Sequence, residues 1–428
     1  MKFSFLAALL PWIFVAPGCA PETSSSEKEE ETASIQQPEP WSNRDDPWGF
    51  SHTLERRAAA LPRSGEASPI PWPGNYWPTW EDSINDRWNG PNSQSPAKKY
   101  ELAFGGSGVE DAVSRHHGID SLQRAKTCSA QDECKSGEAC AKRNGATSGR
   151  CVPTWFGMCH GWAAASVLFP EPKRSVLKNG VTFEIQDIKA LLSLVHHSTA
   201  SRFLSLRCNA DEAEGAITYD EYGRPAPACR DTNAGTFHLV LTNVVGIHKD
   251  SFIEDGTFDD QVWNRPIRGY TIVSQTPVAK EEALRLLDVP VPGGSTPDGG
   301  APDAGSAPAP VYIFNRNAAS FLYVKVDVAY VTGASASSNA NLASRIDDFT
   351  QTVGYEYVLE LDARGTIIGG EWVGSSKRNH PDFLWLPVEA SAQSQAGGKI
   401  SYNEVHRLAK ASVSPVQPGR PAPPPDEP

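Results

Sequence analysis

The stretch Trp155-Phe-Gly-Met-Cys159-His-Gly-Trp162-Ala-Ala-Ala-Ser166 decides how the chain is read. Cys159 follows a glycine turn and opens a short apolar run ending at Phe169-Pro170, which predicts a helix that begins at the cysteine. The N–H groups and dipole at a helix start favour a thiolate, the nucleophilic form of cysteine. Such a nucleophile needs a base. The candidate is His238 in Ala234-Gly-Thr-Phe-His238-Leu-Val-Leu-Thr-Asn-Val-Val-Gly246, a β-branched, glycine-bounded run that reads as a buried strand. A cysteine at a helix start facing a strand histidine is the working geometry of thiol acyl-transfer enzymes. Taken singly, each residue is more often a core group, so the case rests on the pair together with the cysteine count.

The chain has 428 residues, 35 glycines, 35 prolines and a net charge of -12. It contains no Lys/Arg-rich run and no basic aromatic stripe, so nucleic-acid binding has no electrostatic support. Residues 1–19 give one lysine, an apolar core and small residues before Cys19, which reads as an export signal. Its end resembles a bacterial lipoprotein signal with Cys19 as the acylated residue, although Ala16-Pro17-Gly18 lacks the usual aliphatic position. The expected location is the cell envelope, as an outer-membrane lipoprotein, or the medium. Contact with the membrane would be through the lipid anchor alone. Residues 20–37 read as a disordered tether, and 38–95, rich in Trp, Pro and Asn with a helical patch over 51–61, as either an inhibitory pro-region or a structural arm.

Export changes the reading of the cysteines. Cys128, Cys134, Cys140 and Cys151 lie in a polar insert, 128–151, without a CxxC pair, which favours two disulfides over zinc and leaves no metal site. Cys208 and Cys229 flank a turn-rich loop that a further bridge would close. With Cys19 at the export boundary, one of the 8 cysteines remains, Cys159. An unpaired thiol in an exported, bridge-rich protein reads as reactive.

Phe183 to Val195 is apolar at helical spacing and predicts a core helix, followed by His196-His197, which read as structural rather than catalytic because a helix C-terminus suits imidazolium. Asp250 to Asp260 lacks the ligand pattern of a calcium loop, so no cofactor is indicated and a calcium requirement has no motif behind it. Asn264, before Arg-Pro, reads equally as a turn former and as an amide that orients His238. After a flexible insertion at 289–310, strands are expected at 311–314, 321–331, 356–362 and 365–372, the last two as a hairpin, with a disordered tail over 411–428. The catalytic domain would thus begin at 96–127, continue through 152–288 and end in a β-rich part at 311–410. Helices first and strands later give an α+β fold with the site between the layers.

Gly157-Met-Cys159-His-Gly-Trp162-Ala resembles the cysteine helix of papain-like enzymes, His238-Leu-Val-Leu-Thr-Asn-Val-Val-Gly their histidine strand, and Trp263-Asn264 the place of their orienting asparagine. The set Cys-His-Gly-Trp-Ala, Thr-Phe-His, Val-Trp-Asn-x-Pro-Ile-x-x-Tyr, Gly-Gly-Glu-Trp and His-Pro-Asp-Phe-Leu-Trp is similar to the transglutaminase elicitor family, over about 95 to 390. The resemblance implies a papain-like fold, with a helical layer carrying the nucleophile on an antiparallel sheet or barrel. It implies protein-glutamine γ-glutamyltransferase activity on protein glutamines and lysines, with Cys159 the nucleophile, His238 the base that protonates departing ammonia, and Asn264 the orienting group. Pro153 stands where papain-like enzymes keep their oxyanion glutamine, leaving the Cys159 N–H and Trp155 as candidate donors. Asp259 and Asp260 compete with Asn264 for the third position. Peptide hydrolysis by the same thiol, and an inactive surface binding or adhesion protein, are the alternatives.

Overall fold

The computed structural model describes residues 54–197, 199–205, 232–256, 261–289, 314–336 and 341–415. Cys19, Cys208, Cys229, Asp259, Asp260 and most of the 289–310 insertion lie outside the described residues, as does nearly all of the strand expected at 311–314.

Tryptophans set the path of the first described segment. Trp72 and Trp77 are buried in the core. The Trp72 indole donates to the Phe169 carbonyl at 2.8 Å, and the Trp162 indole donates back to the Trp72 carbonyl at 3.1 Å. Asn75 Oδ1 accepts from the Trp77 N–H at 3.0 Å, holding Trp77 at φ 47°. The segment expected to lie over the domain is therefore threaded into it, and we call it the strap. Within the described part of the helical patch expected over 51–61, residues 54–61, the 3-10 turn Ala58–Ala60 forms, with Pro62 closing off any extension. Strand β1 (Ser64–Glu66) follows.

Helix α1 (Pro96–Phe104) starts with proline at its first position and the Ser95 hydroxyl accepting the Lys98 N–H at 3.0 Å. Helix α2 (Val109–His117) comes next. The insert folds as a three-stranded sheet of β2 (Thr127–Cys128), β3 (Glu138–Ala141) and β4 (Gly149–Pro153) in the order β2-β4-β3. Disulfides Cys128–Cys140 and Cys134–Cys151 staple it, with Cα separations of 5.8 and 5.3 Å. Arg143 pins it to the domain through Asp111 at 2.8 Å, Asp120 at 3.2 Å and Asp82 at 3.5 Å. Bridges closing loops this short contribute about 3 kcal/mol each. Reduction is therefore expected to abolish hydrogen-exchange protection in β3 and β4 while protection of the tryptophan core persists; simultaneous loss of both would refute an independent insert.

The cysteine helix is α3 (Cys159–Leu168), and after β5 (Val176–Lys178) and β6 (Val181–Phe183) the predicted core helix is α4 (Ile185–His197). The two pack closely because Gly161 has no side chain; a Cβ there would sit 2.2 Å from the Ser193 carbonyl. Next come β7 (Ser201–Phe203), α5 (Ala234–Val240), β8 (Ile253–Asp255), β9 (Asn264–Val278), α6 (Lys280–Leu286), β10 (Ser320–Val331), β11 (Thr350–Leu361), β12 (Ile367–Trp372), β13 (Leu384–Pro387), β14 (Gln395–Ala396), β15 (Ile400–Ser401) and α7 (Tyr402–Val413). The β11–β12 hairpin is antiparallel, as its turn spacing predicts. The tail expected from 411 is overtaken by α7, whose start is capped by Ser401.

The main sheet runs β12-β11-β10-β9-β8-β13-β7, with β1 pairing β9. Its described pairings are antiparallel. One core gathers the strap tryptophans with Met158, Trp162, α4 and α7; another gathers α5 with the sheet. Ala163 and Ala164 of α3 join them by packing on Ile253, Val262, Phe383 and Trp385, which seats the start of α3 against β8, β9 and β13. The result is a mixed helix and antiparallel-sheet fold. No described helix is long and apolar enough to cross a membrane.

Candidate active site

Cys159 is the first residue of α3, as its sequence context predicts, and is buried. Among the described residues it is the cysteine outside the disulfides. Its Sγ lies 3.6 Å from the Val262 carbonyl, to which the thiol donates, and 3.4 Å from Asn264 Nδ2. Asn264 Oδ1 accepts the Trp385 indole N–H at 2.9 Å. The strap closes the other side: the Met158 N–H donates to the Tyr76 carbonyl at 2.5 Å, and a Cβ on Gly157 would sit 2.6 Å from the Tyr76 ring. Burial first, and then the charges of Glu81 and Cys159, push the Tyr76 phenol up. Trp155 packs edge-to-face on Phe156, with ring centroids 4.5 Å apart.

His238 is placed differently from the expectation. It sits in a helix, α5, capped by the Asn233 side chain, and not on a strand. The π-helical turn Leu241–Ile247 continues from it. Every residue from Ala234 to Gly246 is buried, and a helix apolar on all sides has no polar face to mark its period, so β-branched content misleads there. His238 Nδ1 meets the Tyr357 hydroxyl at 2.8 Å, and its Nε2 has no hydrogen-bond partner among the described residues. Burial lowers its pKa to about 3, which keeps it neutral. The structure brings Asn264 to Cys159, and the His238 ring meets Tyr357 of β11.

His196 and His197 are structural groups but do not carry the expected charge. His196 and His197 are buried, and burial, aided by His406 and His160 respectively, lowers each to about 3. His196 Nε2 meets His406 Nε2 at 3.2 Å, and the His197 ring lies between His117 and His160, at 4.9 and 5.0 Å. Burial also lowers His160 to about 4. The unfolded chain takes up protons on these imidazoles from about pH 6.5 downward, the native chain only near pH 3–4, so stability is lost as the pH falls between those limits. Glu254 and Glu360, raised by burial to about 7 and about 8, bind protons first in the native state and offset part of the loss until unfolded carboxyls protonate near 4.5. Urea midpoints are therefore expected to fall most steeply below about pH 4.5; a midpoint flat from pH 6.5 to 3.5 would contradict the neutral buried imidazoles.

Among the described residues, one group of side chains has metal-ligand spacing, Cys128, Cys134 and Cys151, and disulfides consume those sulfurs. What the residue pattern missed at the thiol is Trp385, Tyr76 and the Val262 carbonyl. Trp385 ends the His-Pro-Asp-Phe-Leu-Trp motif, so its signal was present without a role attached.

The model of the family "Transglutaminase elicitor" matches residues 48–287 and 308–415. No curated protein matches the sequence. Among solved structures, the GP42 transglutaminase from Phytophthora sojae is similar at 36% identity and a TM-score of 0.70, over 87% of this chain and 99% of that one. The family match includes the strap, whose tryptophans are part of the core, and both sides of the Cys159–Asn264 contact. The chain belongs to the transglutaminase elicitor family.

Proposed function

We propose that the protein is a papain-like protein-glutamine γ-glutamyltransferase with Cys159 as its nucleophile. The observation that carries this reading is a cysteine outside the disulfides, at the first position of a helix, with an amide donor on its sulfur. The sulfur attacks the side-chain carboxamide carbon of a protein glutamine; the C–N bond breaks, and ammonia leaves with the thiol's proton. A lysine amine then attacks the thioester, the C–S bond breaks, and the amine's proton returns to sulfur. This chemistry calls for no cofactor from the protein. The first nineteen residues support action outside the cytoplasm, with Cys19 as a lipid anchor.

The test incubates the protein with a glutamine-rich protein and a fluorescent primary amine, reading amine incorporation and ammonia release together. One ammonia per amine incorporated is expected. New peptide fragments without incorporation would replace transfer by hydrolysis. Neither product would leave a binding protein.

A further inference from the structure

We infer that Asn264 acts on Cys159 itself, as the amide that stabilises the thiolate and the oxyanion formed during its acylation, and that Trp385 is the positioning residue that fixes the direction of that amide.

Tryptophan N–H is a donor only, so the asparagine atom 2.9 Å from it must be the carbonyl oxygen. The opposite end, 3.4 Å from Sγ, is then NH2, and the amide cannot turn over without facing two donors at each other. Strand pairing holds the arrangement: Asn264 stands opposite Asp255 on β8, and Trp385 stands opposite Ile253 on the other edge of β8. Cys159, Asn264 and Trp385 are 5%, 6% and 2% exposed, so water competes poorly for these contacts.

In the neutral state the S–H donates to Val262, leaving a sulfur lone pair to the amide. Loss of the proton removes that bond and strengthens the other, because an N–H donating to an anion is a charge-assisted bond. The second Nδ2 hydrogen serves the next step. When the thiolate bonds to the carboxamide carbon, the C=O electron pair moves to oxygen, and Nδ2–H and the Cys159 backbone N–H, at the helix start, are the donors that receive it. This supplies the donor that Pro153 does not. With Oδ1 on Trp385 and Nδ2 on the sulfur, Asn264 is not an orienting group for His238.

The thiolate part stands independently of the transfer reaction; the oxyanion part rests on the proposed function. The full chain, its disulfides intact, is alkylated with iodoacetamide from pH 5 to 10, and modification of the Cys159 peptide is timed by mass spectrometry, beside the amine-incorporation assay. Titratable groups near the contact include Tyr76 on the strap, Asp255 on β8, the buried Asp382 whose N–H donates to the Asp255 carbonyl, and His160 beside Trp385, and they are unchanged in the variants. Asn264→Asp keeps the acceptor for Trp385 and places a negative charge at the sulfur. It is expected to slow alkylation at pH 7 roughly tenfold or more and to move the pH profile upward. Trp385→Phe is expected to move the profile in the same direction by less, and to lower kcat with little change in KM. An unmoved profile in Asn264→Asp, with its thermal midpoint near that of the parent, overturns the inference even if amine incorporation is robust. A shifted profile in a protein that incorporates no amine keeps the thiolate role and overturns the transferase reading.

Discussion

Cys159→Ser is expected to lose amine incorporation by at least about a thousandfold while folding as the parent does. The exchange leaves the helix start, the Asn264 amide and the Val262 carbonyl in place and alters one atom. A serine hydroxyl is not ionised at neutral pH, so neither the helix dipole nor the amide has an anion to stabilise. Near-parent thermal stability should accompany the loss, because the smaller oxygen can still donate to Val262. Substantial incorporation by the serine variant would move the chemistry to another residue. A matching loss of stability would instead make Cys159 a packing group.

Trp77→Ala should cost about 3–5 kcal/mol, the range for emptying a fully buried aromatic site. Domain stability is on the order of 5–15 kcal/mol, so the variant should sit near its unfolding transition at room temperature. Trp77 is fully buried in the core that also holds Met158 and Trp162, which stand either side of Cys159 in the sequence. The Met158–Tyr76 backbone bond ties the same segment to the nucleophile's turn. Excising 54–95 is accordingly expected to give an unfolded chain and not an activated enzyme. Equilibrium urea unfolding checks the point variant, and solubility with near-UV circular dichroism checks the deletion. A folded, active deletion product would return the strap to the status of a removable pro-region.

The sequence carried some of this plainly and other parts ambiguously. The cysteine helix was legible because a glycine turn, a small-residue apolar run and a proline stop bracket it. The β11–β12 hairpin was legible from the short turn between strand-like runs, although β11 ends at Leu361 and β12 resumes at Ile367, so the turn is longer than the two residues expected. The strap was half legible: its tryptophans mark it as more than a linker, but composition does not distinguish a segment lying on a core from one inside it. The His238 segment was misread because full burial on all sides erases the contrast between apolar and polar positions from which a helical or strand period is inferred. Buried His196 and His197 were misread for a related reason. A helix C-terminus favours imidazolium only where water remains, and α7 and α2 remove it.

By itself, then, the amino-acid sequence determined that Cys159 opens a helix and, among the described residues, that its sulfur stays outside the disulfide pairs, because local turn chemistry and cysteine spacing are properties of short stretches. Only the tertiary structure decided what that sulfur meets. Asn264 is 105 residues away along the chain, and the indole that sets its direction is a further 121 residues on. Strands β8, β9 and β13 bring the three together. Which end of an amide faces a thiol depends on the donor at its other end, and no local pattern encodes that.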